Sequence, residues 1–324
     1  MWSPATTLSR VTVSDNALAE RFATHRDHLM GVAYRLTGTR ADAEDAVQDA
    51  WLRLSAVDES EIRDLRAWLT TVVGRLCLDR LRSATARRES YVGPWLPEPV
   101  VTPLGAPTSE DPLDVAVRED GVRLAALLVL DRLSPEQRVA LVLHDAFDLP
   151  FADIAATLGC AEATARQHAT RARKAVAKAD APARATLDEQ RGLIERFVTA
   201  LSAGDLSAVV SLLHPTATFV GDGGGKARTA RQLITGPDKI GRFFLGLFTQ
   251  YGPEVLSGTT VLVNGDLGVL LPAADAGKGR DRRVTTFAVR DGRIAAIYDI
   301  VNPDKLAAVP DLAAGPDLAN APEA

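Results

Sequence analysis

At 324 residues the chain is too long for one small helical domain and suits two or three compact units. Hydrophobic residues make up 46% of it and aromatic residues only 5%, so alanine, valine and leucine carry most of the packing, as helices tolerate well. A formal net charge of -5 argues against a uniformly basic nucleic-acid binder, and the two distant cysteines, Cys77 and Cys160, offer neither a metal-ligand spacing nor a reason for a disulfide.

Residues 1–10 lack a basic flank followed by an apolar run, so no signal peptide is read there. The first block covers residues 14–89. Leu18, Phe22, Leu29, Val32, Ala33 and Leu36 recur at spacings of three and four until Gly38 stops the pattern. A second helix over about 42–54 turns Ala43, Val47, Ala50, Trp51 and Leu54 inward. A third over 65–83 buries Leu65, Trp68, Leu69, Val72 and Leu76. Charge is concentrated along these helices. Asp42, Glu44, Asp45 and Asp49 cluster around Gln48, either to complement the helix dipole or as a docking face for a basic partner. Between 75 and 88, Arg75, Arg80, Arg82, Arg87 and Arg88 oppose only Asp79.

Residues 90–112 form a linker whose stretch from 91 to 111 is dense in proline and glycine, so regular structure is not expected there. Trp95 and Leu96 are large apolar groups in this setting, suited to docking on another surface or to burial at a domain edge.

The second block, residues 113–181, opens with one helix carrying Val117, Leu124, Leu127, Leu128 and Leu130. Ser134-Pro135-Glu136-Gln137 supplies a cap, a proline at the first helical position and a glutamine at the third. A short helix over 151–158 stops at Gly159, and a long basic helix follows from about 161, the order of a helix-turn-helix. In that last helix Ala165, Ala169, Ala172 and Val176 form a thin stripe for packing. Arg166, Gln167, Thr170, Arg171, Arg173 and Lys174 turn outward, where they can reach phosphates and base edges. No apolar stretch, 124–130 included, is long enough to span a bilayer, so a cytoplasmic protein with no membrane partner is expected.

The third block, residues 187–306, changes character. Helices over 187–201 and 206–213 lead into the strand-like 217–220. Four strands follow, over 259–263, 267–271, 283–290 and 293–300, with hairpin turns at Asn264-Gly265 and Asp291-Gly292. Helices followed by an antiparallel sheet make an α+β domain. Residues 307–324, rich in alanine and proline, read as a flexible tail.

These motifs in this order resemble extracytoplasmic-function sigma factors of the sigma-J-like group, which carry a C-terminal SnoaL-like extension. DAEDAVQDAWLRL from Asp42 resembles the region 2 segment that docks on core RNA polymerase, implying that role for Asp42, Asp45, Gln48 and Asp49. LRAWLTTVVGRLCLDRLRSATARR from Leu65 looks like the part that melts and reads the −10 element, which points to Arg75, Arg80 and Arg82. LSPEQRVALVLHDAFDLPFADIAATLG from Leu133, with ARQHATRARKAV from Ala165, resembles region 4, the reader of the −35 element. Cys160 departs from the pattern, standing near a helix start where such factors often have a serine cap.

WLPEP, with Trp95, Leu96 and Pro97, resembles the group's interdomain linker. DGGGK, with Asp222, Gly223, Gly224, Gly225 and Lys226, and NPDKL, with Asn302, Pro303, Asp304, Lys305 and Leu306, resemble signatures of its C-terminal domain. The implied architecture is multidomain: two all-α sigma domains, the second a helix-turn-helix, then an α+β cone of the SnoaL-like, NTF2-like kind. The implied function is promoter-specific initiation on core RNA polymerase, modulated by the extension, in a protein that is a monomer when free. No catalytic role, cofactor or metal is expected. Asp222 and Asp299, with His214, are the groups to inspect for acid–base chemistry in the cone, since a carboxylate in an apolar pocket can be raised into a useful range. A vacant cone would suit a small apolar ligand, and a filled one a latch on the linker.

Overall fold

The computed structural model describes residues 13–58, 60, 62–88, 91–105, 111–179, 184–253, 258–273 and 280–312. The first apolar run is two helices, α1 (Val13–Ala23) and α2 (Arg26–Thr37), separated by a turn at Thr24 and His25. Gly38, at φ 78°, takes the left-handed conformation that closes α2, its amide bonded to the Tyr34 carbonyl. Thr39 caps α3 (Arg40–Leu54), and α4 (Leu65–Arg88) runs about a turn past its expected end. The side chains of Arg87 and Arg88 lie outside the described residues.

The linker corrects the expectation of irregular structure. Val101–Pro103 is a strand, β1, paired antiparallel with a strand of the C-terminal sheet. Pro103 is tolerated because β1 is an edge, where a missing amide breaks no further ladder. The single helix expected after residue 113 is also two, α5 (Pro112–Asp120) and α6 (Leu124–Leu130), because Gly121 turns left-handed at φ 62° and ends the first. Next come α7 (Pro135–Asp145), with the expected capping box formed, α8 (Phe151–Leu158), closed by Gly159, and α9 (Glu162–Ala179).

The C-terminal domain comprises α10 (Leu187–Ser202), α11 (Leu206–Leu212), β2 (Leu213–Asp222), β3 (Ile234–Thr235), α12 (Pro237–Tyr251), β4 (Thr259–Val263), β5 (Asp266–Leu271), β6 (Arg283–Arg290) and β7 (Arg293–Ile300). A 3-10 turn, Pro303–Leu306, follows. Among the described residues the sheet has seven strands in the order β1-β4-β5-β6-β7-β2-β3. Asn264-Gly265 and Asp291-Gly292 make the expected hairpins, all four residues at positive φ. The purely antiparallel expectation is corrected, because β2 runs parallel to β7. The tail is corrected too: Val309 is buried, and Arg282 donates to the carbonyls of Val309 (2.9 Å) and Pro310 (2.7 Å), so residues 307–312 are docked. Residues 313–324 lie outside the described set.

The sheet is covered on both faces. α10, α11 and α12 close one side over Phe219, Phe287 and Ile297. On the other side Leu96 and Val101 of the linker, Leu124 of α6, and Leu306 and Val309 pack on Val261, Val284 and Ile300. Cover on both faces explains why every residue of β5 is buried and why its sequence does not alternate. The two helical units in turn share one apolar core, in which Val73 and Leu76 of α4 join Val139 and Leu143 of α7 and Ile154 of α8.

Candidate functional site

The division predicted for the last helix of the helical half is realised. Ala165, Ala169 and Ala172 on α9 are fully buried, and small side chains there let α7 and α8 approach closely. Arg166, Gln167, Thr170, Arg171, Arg173 and Lys174 are all exposed on the outer face. Two of these cations are positioned by neighbours. The Arg166 guanidinium lies 4.6 Å from the centre of the Phe151 ring and pairs with Glu162. Arg173 donates through Nε to Asp145 Oδ2 at 2.8 Å and through its terminal nitrogen to Oδ1, a two-point contact to the last turn of α7.

The acidic helix sorts its residues by role. Asp42 belongs to the cap of α3, accepting from the Thr39 hydroxyl at 2.8 Å while its amide donates back. Asp49 holds Arg80 at 3.0 Å, with Asp45 at 4.0 Å. Asp45 and Gln48 are exposed. The basic face of α4 is engaged by the second helical unit. Arg75 donates to the Ala156 carbonyl of α8 at 2.9 Å, and Arg82 contacts Glu136 of α7 at 3.0 Å. Next to Arg75, Gly74 permits contact that a side chain would obstruct: a Cβ there would lie 3.0 Å from Leu143 Cδ1 and 3.3 Å from Thr157 Cγ2.

The linker and both glycine- and asparagine-bearing segments of the third domain converge on Asp222. Its buried carboxylate accepts from the Tyr91 hydroxyl (2.5 Å), the Leu96 amide (2.7 Å), the Gly224 amide (3.2 Å) and Lys305 Nζ (2.6 Å). Lys305, itself buried, also donates to the Leu96 carbonyl and lies 4.3 Å from the Trp95 ring centre. Asn302 donates to the Tyr91 hydroxyl at 2.8 Å. Burial, with the Asp222 carboxylate beside it, pushes the Tyr91 hydroxyl well above the usual phenol range. Gly224 is glycine for a reason: a Cβ there would sit 2.4 Å from the Asn302 amide nitrogen. Gly225 presses on Val92, and Lys226 pairs with Asp304 at the rim. Pro97 packs near Gly38, and Pro303 opens the 3-10 turn that presents Lys305.

The family model for Sigma-70 region 2 matches residues 21–87, that for Sigma-70 region 4 matches 123–176, and that for a SnoaL-like domain matches 194–297. The chain is 53% identical to the ECF RNA polymerase sigma factor SigJ of Mycobacterium tuberculosis over 294 residues, 89% of this chain and 93% of that one. The chain belongs to the extracytoplasmic-function sigma factors. It is also 33% identical to a probable ECF RNA polymerase sigma factor, SigI, of the same species, across 87% of this chain and 92% of that one. The crystal structure of M. tuberculosis SigJ superposes with a TM-score of 0.74 at 50% identity, covering 89% of this chain and 98% of that one. As a sigma factor the chain binds core RNA polymerase and directs initiation at promoters, and it is not an enzyme. No helix among the described residues is long and apolar enough to cross a membrane.

In this sigma factor the carboxylates singled out for acid–base work are separated by the sheet. Gly221 pairs with Asp299 and Asp222 with Ile300, so the two side chains leave neighbouring parallel strands on opposite faces. Asp222 faces the linker. Asp299 faces a cavity of about 240 Å³ inside the cone, where Thr229 (2.7 Å) and Thr285 (3.0 Å) donate to it. His214 bonds to Thr216 at 2.8 Å and does not line that cavity.

Several residues that tie the sigma regions together escaped sequence reasoning. Tyr91 stands four residues before the WLPEP motif. Asn264, expected only as a turn residue, donates to the Tyr34 hydroxyl of region 2 and the Val122 carbonyl before α6, both at 3.0 Å, and accepts from the linker's Val100 amide at 3.2 Å. Arg138, fully buried, donates twice to the Arg35 carbonyl of region 2 (3.2 and 3.0 Å) and once to Asp131. Its one available signal was a lone cation within the apolar run of α7.

Proposed function

We propose that this sigma factor reads the −35 element with the outer face of α9 and meets polymerase with the acidic face of α3. On α9 the contacts are Arg166, Gln167, Thr170, Arg171, Arg173 and Lys174. On α3, Asp45 and Gln48 make the contact while Asp42 and Asp49 hold the helix and Arg80 in place. Arg75, Arg80 and Arg82 serve the −10 region, Arg75 and Arg82 once region 4 withdraws from them and Arg80 from its place against Asp49. The observation that carries the reading is the two-sided α9, alanine-packed behind and cationic in front, following the Gly159 turn.

The C-terminal domain modulates this activity through the interface of Trp95, Leu96 and Pro97 with the 222–226 and 302–306 segments. The Asp222 cluster supports a latch on the linker, and the cavity beyond the sheet supports a small apolar ligand; the two features lie on opposite sides of β2 and β7. The free protein acts as a monomer.

Reconstitution with core polymerase, followed by mapping of transcription starts, tests the reading. Arg171→Ala and Arg173→Ala, made separately, are expected to weaken −35-dependent initiation, with core association unchanged. Removing one cation from a phosphate should reduce the salt dependence of promoter binding by about one unit of log–log slope. Unchanged promoter binding in both variants would remove α9 from the DNA interface.

A further inference from the structure

The cavity inside the cone has two chemically different ends. One is aromatic, formed by Phe219, Phe243, Phe244 and Phe248. The other brings three arginines, Arg228, Arg280 and Arg283, to the same lining as a single carboxylate, Asp299. That carboxylate is already served by two threonine hydroxyls and reaches Arg283 only at 3.4 Å. Arg283 also donates through a terminal nitrogen to the Arg228 carbonyl at 3.2 Å, which ties it to the same wall. Guanidinium groups in a cavity lining favour an anionic acceptor, and a planar carboxylate matches their fork of donors best. The volume, about 240 Å³, equals roughly eight waters at about 30 Å³ each, so the occupant is small.

The wall of this cavity is continuous with the latch. The loop leaving β2 presents Gly224 and Gly225 to Tyr91 and Val92 of the linker, and the same loop then places Arg228, Thr229 and Ala230 in the cavity lining. Thr229 packs so closely over β2 that a Cβ at Gly221 would lie 2.2 Å from its hydroxyl. A group that binds Arg228 and displaces or tightens Thr229 therefore acts on the segment that holds the linker.

We propose that the cone binds a small apolar carboxylate, its hydrocarbon among the phenylalanines and its charge at Arg283 and Arg228, and that occupancy is transmitted to the linker through residues 222–230. The proposal rests on the reading of the cone as a ligand-binding module and specifies the ligand's chemistry.

Titration calorimetry on the full chain would use octanoate and 3-phenylpropionate, with 1-octanol and 3-phenylpropanol as uncharged counterparts. The acids are expected to bind one per chain and at least tenfold more tightly than the alcohols. Arg283→Met should erase that preference, and Arg228→Gln, at an exposed position that folding tolerates, should reduce it several-fold. Hydrogen exchange with saturating octanoate should change at least threefold at the amides of 222–226 and of the linker from 91 to 97.

Equal binding of acids and alcohols would overturn the anionic site while leaving an apolar-ligand module standing. Binding of neither would sink both readings. Octanoate binding with unaltered exchange in the 222–226 and linker amides would overturn the coupling.

Discussion

Asp222 is fully buried, yet its carboxylate takes four donors, one of them the ammonium of Lys305, also buried. Such a pair adds little over an apolar replacement, but removing one partner strands the other charge in a low-dielectric site. Asp222→Asn should therefore cost about 3–5 kcal/mol of the linker-bound state, and the double variant with Lys305→Met should recover most of it. Denaturant midpoints of the two variants check this, and equal loss in both would contradict the pairing argument. His28 presents a different balance. Its ring bonds to Thr70 at 2.9 Å and meets Phe147, in the loop after α7, edge-on at 5.1 Å. Burial first, then the Arg66 guanidinium, lowers its pKa from 6.5 to about 4. The unfolded chain then binds a proton between those values that the folded one refuses. The histidine leaves stability untouched above pH 6.5 and subtracts from it progressively as pH falls toward about 4. Against a His28→Gln variant, the wild type should lose urea resistance across that window, and parallel pH profiles would rule the effect out.

At the scale of elements, the helices that pack by local periodicity are legible in the sequence. The alanine stripe of α9 and the capping box of α7 follow from spacings of three and four that no distant contact alters. Elements defined by distant partners are not. β1 hides behind prolines and exists because β4 offers it an edge, and the parallel pairing of β2 with β7 joins segments that no hairpin turn connects. α12 went unpredicted although Pro237 stands at its first turn and Ile240, Phe243, Phe244, Leu247 and Phe248 recur at helical spacing, a signal that the sequence reading missed. The site divides in the same way. The face of α9 was legible; the linker partners of Asp222 and the partners of Arg75 and Arg82 were not, since each lies 54 or more residues away. Gly74 is where an element's sequence can be tuned against its packing. Alanine there gains up to about 1 kcal/mol of helix propensity and asks Leu143 to yield slightly. Isoleucine overfills the same contact at about 1–3 kcal/mol, and only in the closed state. We predict near-neutral stability for Gly74→Ala. For Gly74→Ile we predict a lower melting temperature with several-fold tighter apparent binding of core polymerase, because the competent fraction rises as the closed state weakens. Unchanged polymerase affinity in the isoleucine variant would mean that the contact between α4 and α7 does not compete with that partner.

For the molecule as a whole, the closed arrangement conflicts with the task. Elements centred near −35 and −10 are about 25 base pairs apart, about 85 Å along B-DNA at roughly 3.4 Å per pair. Regions 2 and 4 here share one apolar core, with Gly74 and Leu143 in direct contact and two α4 arginines spent on region 4. With region 2 serving −10 and region 4 reading −35 as proposed, one molecule so folded cannot occupy both elements, and region 4 must leave region 2 when the promoter is engaged. The linker is the element that has to permit this. It is held at Asn264, at Asp222 and, through the Glu98 amide, at the Gly38 carbonyl, 2.8 Å away. A donor dye at Glu20 and an acceptor at Lys178, both exposed, would report the separation of the two regions. Energy transfer should be high in the free protein and fall to near background with core polymerase and promoter DNA together. Asp222→Asn should shift the free protein part of the way toward low transfer, since it releases the linker from the sheet without touching either region. Transfer that stays high on an active initiation complex would mean that the two elements are read by some other geometry, and would remove the need for opening.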